Sequence, residues 1–269
     1  ITLNRIVWYF FSKADTLIAG KLLGKEALGA YSVASSLSSI PMEKISSIAN
    51  QVIFSTFSKL QNQKDKVADA TLRTVRLICL ISIPLSWGLA TTAQDFIPVL
   101  LGEKWAASIL PLQLLAIITP LRIVSSLTST ISIGIGMPRI DLKNTLTSVA
   151  LMIPAFIIGA VYFGMEGLAY VWVIVYPLSF LIALNRVTPQ LGLTMKSVFM
   201  AMIPAVYAGV AMVLSTQAIR NFVALPISAS LIGQIFVGAL VYASTVYVTQ
   251  PQVRIELLGW LKKKHNKTP

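Results

Sequence analysis

Residues 145–164 read TLTSVALMIPAFIIGAVYFG and residues 168–185 read LAYVWVIVYPLSFLIALN, and neither stretch contains an Asp, Glu, Lys or Arg. A hydrocarbon core about 30 Å thick is crossed by about 20 apolar residues in a helix. Only Met165, Glu166 and Gly167 separate the two stretches, which leaves room for no more than a short turn. The pair therefore predicts two successive transmembrane helices.

Six further stretches are also long and mainly apolar, although some contain charged residues, so that about eight apolar segments follow one another along the chain. Their lengths suit membrane helices rather than the roughly 10-residue alternating strands of a membrane barrel. We predict an all-α polytopic membrane protein with about eight transmembrane helices. Besides the two segments above, the predicted spans are 2–22, 27–50, 76–94, 107–133, 197–217 and 226–249.

The composition narrows the class of function. Apolar residues make up 55% of the chain and charged residues 12%, against about 25% charged residues in soluble domains. Cys79 is the only cysteine and His265 the only histidine, which argues against a disulfide framework and a cysteine-based metal site. Few groups remain for nucleophilic or metal chemistry. We expect a transporter that is not an enzyme and uses no metal or cofactor.

Basic residues in the connections predict the orientation. Fourteen Lys and Arg residues follow spans two, four, six and eight, whereas four follow the other spans. Because basic loops stay in the cytoplasm, both ends of this chain are expected there. Topology and anionic lipid account for the net charge of +12, so a nucleic-acid partner is not expected. The longest connection, from Lys59 to Arg76, has helix-like spacing and is expected to lie on the membrane surface.

Five of the charged residues within the spans are the candidate substrate-binding residues: Arg5, Lys13, Asp15, Lys44 and Arg122. A charge at a lipid-facing helix centre costs roughly 2.5–3.5 kcal/mol, so such groups face protein or water. Lys13 and Asp15 point to different helix faces and need partners on other helices. Two interpretations stay open: a substrate or ion path, or structural pairing between helices. For Lys44, extension to the membrane surface is a further alternative.

Other side chains in the spans are more simply explained by packing and anchoring. Ala30, Ala34 and Ser38 allow close approach of a neighbouring helix, although the serines of this span also suit a cavity. Trp105, Trp172 and Trp260 stand near predicted span ends, where aromatic side chains anchor a helix at the membrane interface. They carry no information about a substrate.

Residues 13–41, KADTLIAGKLLGKEALGAYSVASSLSSIP, resemble the mid-chain signature of Wzx-type polysaccharide flippases of the MOP (multidrug, oligosaccharidyl-lipid, polysaccharide) superfamily. The shared pattern is an Asp, a small-residue helix end, LG, a short gap, a second LG and a Tyr. Further runs resemble the same family in the same order, covering spans one to six. These runs are VIFSTFSKLQNQKDK (52–66), VLLGEKWAASILPLQLLA (99–116), GIGMPRIDL (134–142) and FGMEGLAYVW (163–172).

The resemblance implies a flippase of about 14 helices of which this chain is the second half. The absence of an initial Met, with Ile1 directly before a span, agrees with a missing N-terminal half. In such a protein, residues 1–190 form a six-helix C-terminal lobe on a central cavity. Residues 191–269 form the final helix pair and a basic cytoplasmic tail. Lys13, Asp15 and Lys44 would then stand on the cavity wall.

The implied function is transport of polyprenyl-pyrophosphate-linked oligosaccharide across the bacterial inner membrane for surface polysaccharide biosynthesis. Arg5, Lys13 and Arg122 would attract the pyrophosphate. Asp15 would hold a coupling proton or cation, or orient a basic residue. The alternatives are a drug or cation antiporter of the MATE-like branch of the superfamily and a polytopic polysaccharide polymerase or glycosyltransferase. Substrate lipid, membrane lipid and the missing half are the expected partners.

Overall fold

The computed structural model describes the backbone of residues 2–60, 63–222 and 226–250, with the side chains in these ranges other than those of residues 2, 3, 5, 46–56, 58–60 and 64. These residues form long α-helices and contain no strand. The all-α class is therefore confirmed. The helices are α1 (Thr2–Leu22), α2 (Gly24–Leu60), α3 (Lys64–Leu100), α4 (Ile109–Gly134), α5 (Pro138–Val187), α6 (Met195–Phe222) and α7 (Ile227–Thr249), with short 3-10 helices at Glu103–Ser108 and Thr188–Leu191.

Helix α5 is a hairpin of two antiparallel arms, residues 138–163 and 165–187. Gly164 breaks the helix with φ 61° and ψ −141°, a conformation that a residue with a Cβ rarely adopts. Across the hairpin, the hydroxyl oxygens of Ser148 and Ser179 are 2.7 Å apart. Arg186 donates to the carbonyl of Lys143, as expected if the loops after spans four and six lie on one side of the membrane.

Two glycines allow the arms of α5 to touch near the turn. A Cβ on Gly167 would stand 2.0 Å from the backbone oxygen of Gly159, and one on Gly159 would stand 2.8 Å from the oxygen of Gly167. Since lipid supplies no hydrophobic force between helices, close packing of small residues is an important source of association. The hairpin thus depends on hydrogen at both positions.

Among the residues that the structure describes, five segments are long and apolar enough to cross a membrane: Asp65–Leu100, Glu103–Gly134, Pro138–Leu191, Met195–Phe222 and Ile227–Thr249. The third of them contains both arms of α5. Helices α1 and α2 are less apolar because they carry in-span charges and many serines. A polytopic membrane protein is therefore confirmed, and the figure of eight crossings stays a prediction.

The segment from Lys59 to Arg76 is largely helical, as its spacing predicted, but it is not a separate connection between spans. Helix α2 continues to Leu60 and α3 already begins at Lys64, so the segment from Lys64 onwards is the first part of a 37-residue helix. The acidic and basic side chains of this segment suit the hydrated end of a long helix. The spacing that suggested a surface helix is the spacing of α3 itself.

Helix α4 lies at the centre of the bundle and contacts α2, α3, α5 and the short 3-10 helix that precedes it. Small residues let α2 approach it, as predicted, since Ala34 and Ser38 are buried and Thr119 donates to the carbonyl of Ser38 at 3.3 Å. The sequence GKLLG is a helix boundary: α1 ends at Leu22 and α2 begins at Gly24, whose φ is 85°.

The last two helices pack on each other and on α3. Asp95 of α3 is 6% exposed and accepts hydrogen bonds from Ser230 at 3.1 Å and Gln234 at 2.5 Å, both on α7. Arg220 of α6 approaches the same carboxylate at 3.7 Å. One buried acidic group thus joins three helices. Division of the chain into residues 1–190 and 191–269 stays a prediction, and the basic tail lies outside the described residues.

Candidate functional site: a polar pocket among apolar helices

A pocket of about 460 Å³ opens between the first half of α1, the second half of α4 and both arms of α5. Its volume lies within the range of roughly 300–1,000 Å³ typical of small-molecule sites. The helices that form it are among the segments apolar enough to cross a membrane, apart from α1. A polar recess in such a bundle is a candidate binding site because unsolvated polar groups are costly there.

Hydroxyl groups dominate the wall of this pocket. Most of them donate to a carbonyl one turn earlier in their own helix, as Thr145 does to Asp141 at 3.1 Å and Ser148 does to Asn144 at 3.1 Å. Such bonds use the hydroxyl hydrogen and leave oxygen lone pairs as acceptors. The lining Ser and Thr residues are Ser12, Ser125, Ser126, Thr128, Ser129, Thr130, Thr145, Ser148 and Ser179.

Arg122 supplies the positive charge of the pocket. Its guanidinium carbon lies 4.2 Å from the ring centroid of Trp172, in the second arm of α5, and both residues line the pocket. Guanidinium stacking on an indole is favourable, most of all where water is excluded. Because arginine keeps its charge in proteins and has five donors, this group suits an anionic ligand.

Asp15 lies behind this pair and does not line the pocket. Its carboxylate is 5% exposed and accepts hydrogen bonds from the Tyr31 hydroxyl at 2.8 Å and the Trp172 indole N–H at 3.0 Å. The partners that the sequence required for Asp15 thus come from α2 and α5. The indole ring of Trp172 therefore links the two charged groups, with the carboxylate of Asp15 at the edge of the ring and the guanidinium of Arg122 on the face of the ring.

The position of Trp172 corrects its assignment as a membrane anchor. Its side chain is 4% exposed and packs against Phe156 and Tyr176, with ring centroids at 5.6 and 5.3 Å. Sequence position alone placed it near a span end. Because α5 folds back at Gly164, Trp172 instead faces α1 and α4 at the level of Asp15.

Asp141 is a pocket residue that the sequence analysis missed. It is 6% exposed, accepts a hydrogen bond from Ser129 at 2.5 Å and a second from the side-chain amide of Asn4. The run GIGMPRIDL suggested a loop, but the helix begins at Pro138 and places Asp141 in its first turn. Acidic residues are favourable near a helix N-terminus. Proline followed by an acidic residue was the available signal.

The other predicted residues lie elsewhere. Lys13 and Lys44 are exposed and do not line the pocket, and the side chain of Arg5 lies outside the described residues. Of the five candidates, the structure brings together Asp15 and Arg122, through Trp172. Within the described part of the chain, no group of three His, Cys, Asp or Glu side chains is arranged to hold a metal ion.

The chain is similar in sequence to known polysaccharide biosynthesis proteins. A family described as "Polysaccharide biosynthesis protein" matches residues 1–110. The lipopolysaccharide biosynthesis protein WzxC of Escherichia coli is 26% identical over 193 residues, covering 71% of this chain and 39% of that protein. The teichuronic acid biosynthesis protein TuaB of Bacillus subtilis is 27% identical over 264 residues, covering 95% of this chain and 53% of that protein.

A third relative carries transport in its name. The succinoglycan biosynthesis transport protein ExoT of Rhizobium meliloti is 26% identical over 114 residues, 42% of this chain and 23% of that protein. No solved structure matches the chain. The chain spans about half, or less, of the length of these relatives. The similarity of this chain to polysaccharide biosynthesis proteins, first indicated by its sequence motifs, is thereby confirmed.

Proposed function

We propose that this chain is the second half of a flippase that moves polyprenyl-pyrophosphate-linked oligosaccharide across the bacterial inner membrane for surface polysaccharide biosynthesis. The preceding half of the protein completes the transport path. The proposal is supported by relatives that are about twice as long and named for polysaccharide biosynthesis or transport. Both ends of this chain lie in the cytoplasm, in accordance with the excess of basic residues in the connections on one side.

The observation that carries the proposal is the guanidinium of Arg122 in a polar pocket of an apolar bundle. A lipid-linked oligosaccharide has a tail that stays in the bilayer and a headgroup that hydrocarbon excludes. Arg122 binds the pyrophosphate, since charge-assisted bonds from guanidinium to phosphate are strong and often bidentate. Alternating access of the pocket to the two membrane faces then moves the headgroup.

The test is export by the full-length protein with Arg122 replaced. Loss of a hydrogen bond to a charged group costs about 1.5–3 kcal/mol, so we expect Arg122→Ala to lower export about tenfold or more. Arg122→Lys retains charge without the planar fork and has an intermediate effect. Lys196→Ala, at an exposed cation outside the pocket, is the matched control. Surface polysaccharide and cytoplasmic-face lipid-linked precursor are measured together with the amount of protein in the membrane.

The outcomes separate the alternative functions. Precursor that accumulates unflipped in the Arg122→Ala strain supports the flippase. Unchanged export in that strain contradicts the role of Arg122. Altered drug efflux with normal polysaccharide supports an antiporter, whereas flipped precursor that is not polymerised supports a polymerase.

A further inference from the structure

We infer that the part of the pocket between Arg122 and Asp141 binds a saccharide ring, the sugar next to the pyrophosphate. This inference rests on the proposed function, because it names the part of the substrate that the hydroxyl-lined wall recognises. A pyranose has apolar C–H faces and an edge of hydroxyl groups. A site for it therefore needs an aromatic surface and a set of hydrogen-bond acceptors and donors at its edge.

The acceptors lie around Asp141. An ionised carboxylate has about four lone-pair positions, of which Ser129 and Asn4 occupy two. The side-chain oxygen of Asn4, Oδ1, is buried and has no hydrogen-bond partner among the described residues. Buried polar atoms are nearly always paired, so an unpaired acceptor beside a pocket indicates a missing donor. A sugar hydroxyl supplies such a donor.

The aromatic surface is Trp8. This residue lines the pocket from α1 and is 52% exposed, so about half of its surface is available for contact. Trp172 differs, because it is buried and has Arg122 on its face. Among aromatic residues, Trp offers the largest flat apolar surface with a polar edge.

The spacing of the pocket residues along α4 leaves room for a phosphate at one end of the pocket and a sugar ring at the other. Arg122 and Ser129 are seven residues apart, which corresponds to about 10 Å along the helix axis at 1.5 Å per residue. Ser125 and Ser126 occupy the turn between them and line the pocket. A phosphate bound at Arg122 thus leaves its attached sugar beside these serines, with Asp141 and Asn4 at the far end.

Direct binding to the full-length protein in lipid nanodiscs tests the inference. The probes are inorganic pyrophosphate and the methyl glycosides of glucose, galactose and N-acetylglucosamine. Saturation-transfer NMR measures the binding of the glycosides. We expect Trp8→Ala to weaken glycoside binding about tenfold and to change pyrophosphate binding less than about twofold. Arg122→Ala has the opposite pattern. Tyr207→Ala, at an exposed aromatic residue of α6, is the control.

Asp141→Asn provides the second variant, since the amide keeps the shape of the side chain and one oxygen acceptor. We expect weaker glycoside binding with the membrane level of the protein unchanged. The inference is overturned if none of the glycosides binds saturably to the unmodified protein, or if Trp8→Ala binds them as well as that protein does. Loss of export in Arg122→Ala combined with either of these results retains the flippase and removes only the sugar site. Saturable glycoside binding with normal export in Arg122→Ala retains the sugar site and removes the proposed role of Arg122.

Discussion

The carboxylate of Asp15 accepts a hydrogen bond of 3.0 Å from the indole N–H of Trp172, which joins α1 to the second arm of α5 in the interior of the bundle. The same indole carries the guanidinium of Arg122 on its face at 4.2 Å. An acidic and a basic side chain thus hold one aromatic ring without contact between the two charges. The hydrogen bond to Asp15 thus fixes the edge of Trp172, a ring that lines the pocket.

Trp172→Phe tests this relationship. Phenylalanine keeps a ring beneath Arg122 but offers Asp15 no donor, and an incompletely satisfied buried acceptor costs about 1–3 kcal/mol. We expect thermal unfolding in detergent to shift to a lower temperature by a corresponding amount. Trp8→Phe, which removes an exposed indole, is the control and should unfold like the unmodified protein. Equal stability of the two variants would show that the Asp15 bond contributes nothing.

Gly167→Ala is expected to disrupt the hairpin of α5. Its Cβ would meet the Gly159 oxygen at 2.0 Å, and overpacking of this kind typically costs about 1–3 kcal/mol, more where backbone must move. The measurement is the thermal unfolding of the purified protein. Gly88→Ala is the matched control, because a Cβ there has nothing within 4 Å and alanine favours a helix interior by about 1 kcal/mol. A hairpin that tolerates Gly167→Ala would refute the close approach of the arms.

Asp95→Ala is expected to loosen the last two helices from α3. The substitution leaves Gln234 and Arg220 without their shared acceptor, at a cost of about 1–3 kcal/mol. Asp95→Asn should have a smaller effect, since its amide oxygen still accepts. Protease resistance and thermal unfolding measure the change, with exposed Glu166→Ala as the control. If Asp95→Ala matches this control, the helix pair is held by apolar packing alone.

Lys13→Ala in the full-length protein is expected to abolish polysaccharide export and leave membrane insertion intact. Lys13 stands on an exposed face of α1 beside Tyr9 and Leu17, each 62% exposed. A cation at a helix centre cannot face lipid cheaply, so this face meets water or another part of the protein. Lys13→Arg should retain export, and Lys21→Ala, at the helix end, is the control. Normal export by Lys13→Ala would leave Lys13 without a transport role.

Long uncharged segments made the helical class predictable without tertiary information. The length and apolar character that a membrane-spanning helix needs are properties of one local segment. Helix α1 accordingly ends at Leu22, where the sequence predicted. The helix ends around residue 60 were not predictable in this way. Polar residues that extend a helix beyond the membrane look the same in sequence as polar residues in a loop.

The site was only partly predictable. In-span charges identified Asp15 and Arg122, since their cost in lipid is a property of the residue type. Asp141 and Trp172 were missed or misassigned because their environment depends on the fold of α5. Asp141 appeared to stand in a loop and Trp172 at a membrane interface.

The sequence by itself determined that this is an all-α membrane protein, that it resembles polysaccharide biosynthesis proteins, and that a few charged residues need protein or water around them. Each of these follows from residue type and spacing along one segment. Only the tertiary structure decided that Trp172 lies between Asp15 and Arg122 and that Asp141 faces the same pocket. Asp15 and Trp172 are more than 100 positions apart in the sequence, and the reversal of the chain at Gly164 brings them together. Local sequence does not predict such a contact, because the interactions that favour it form only when the helices have packed.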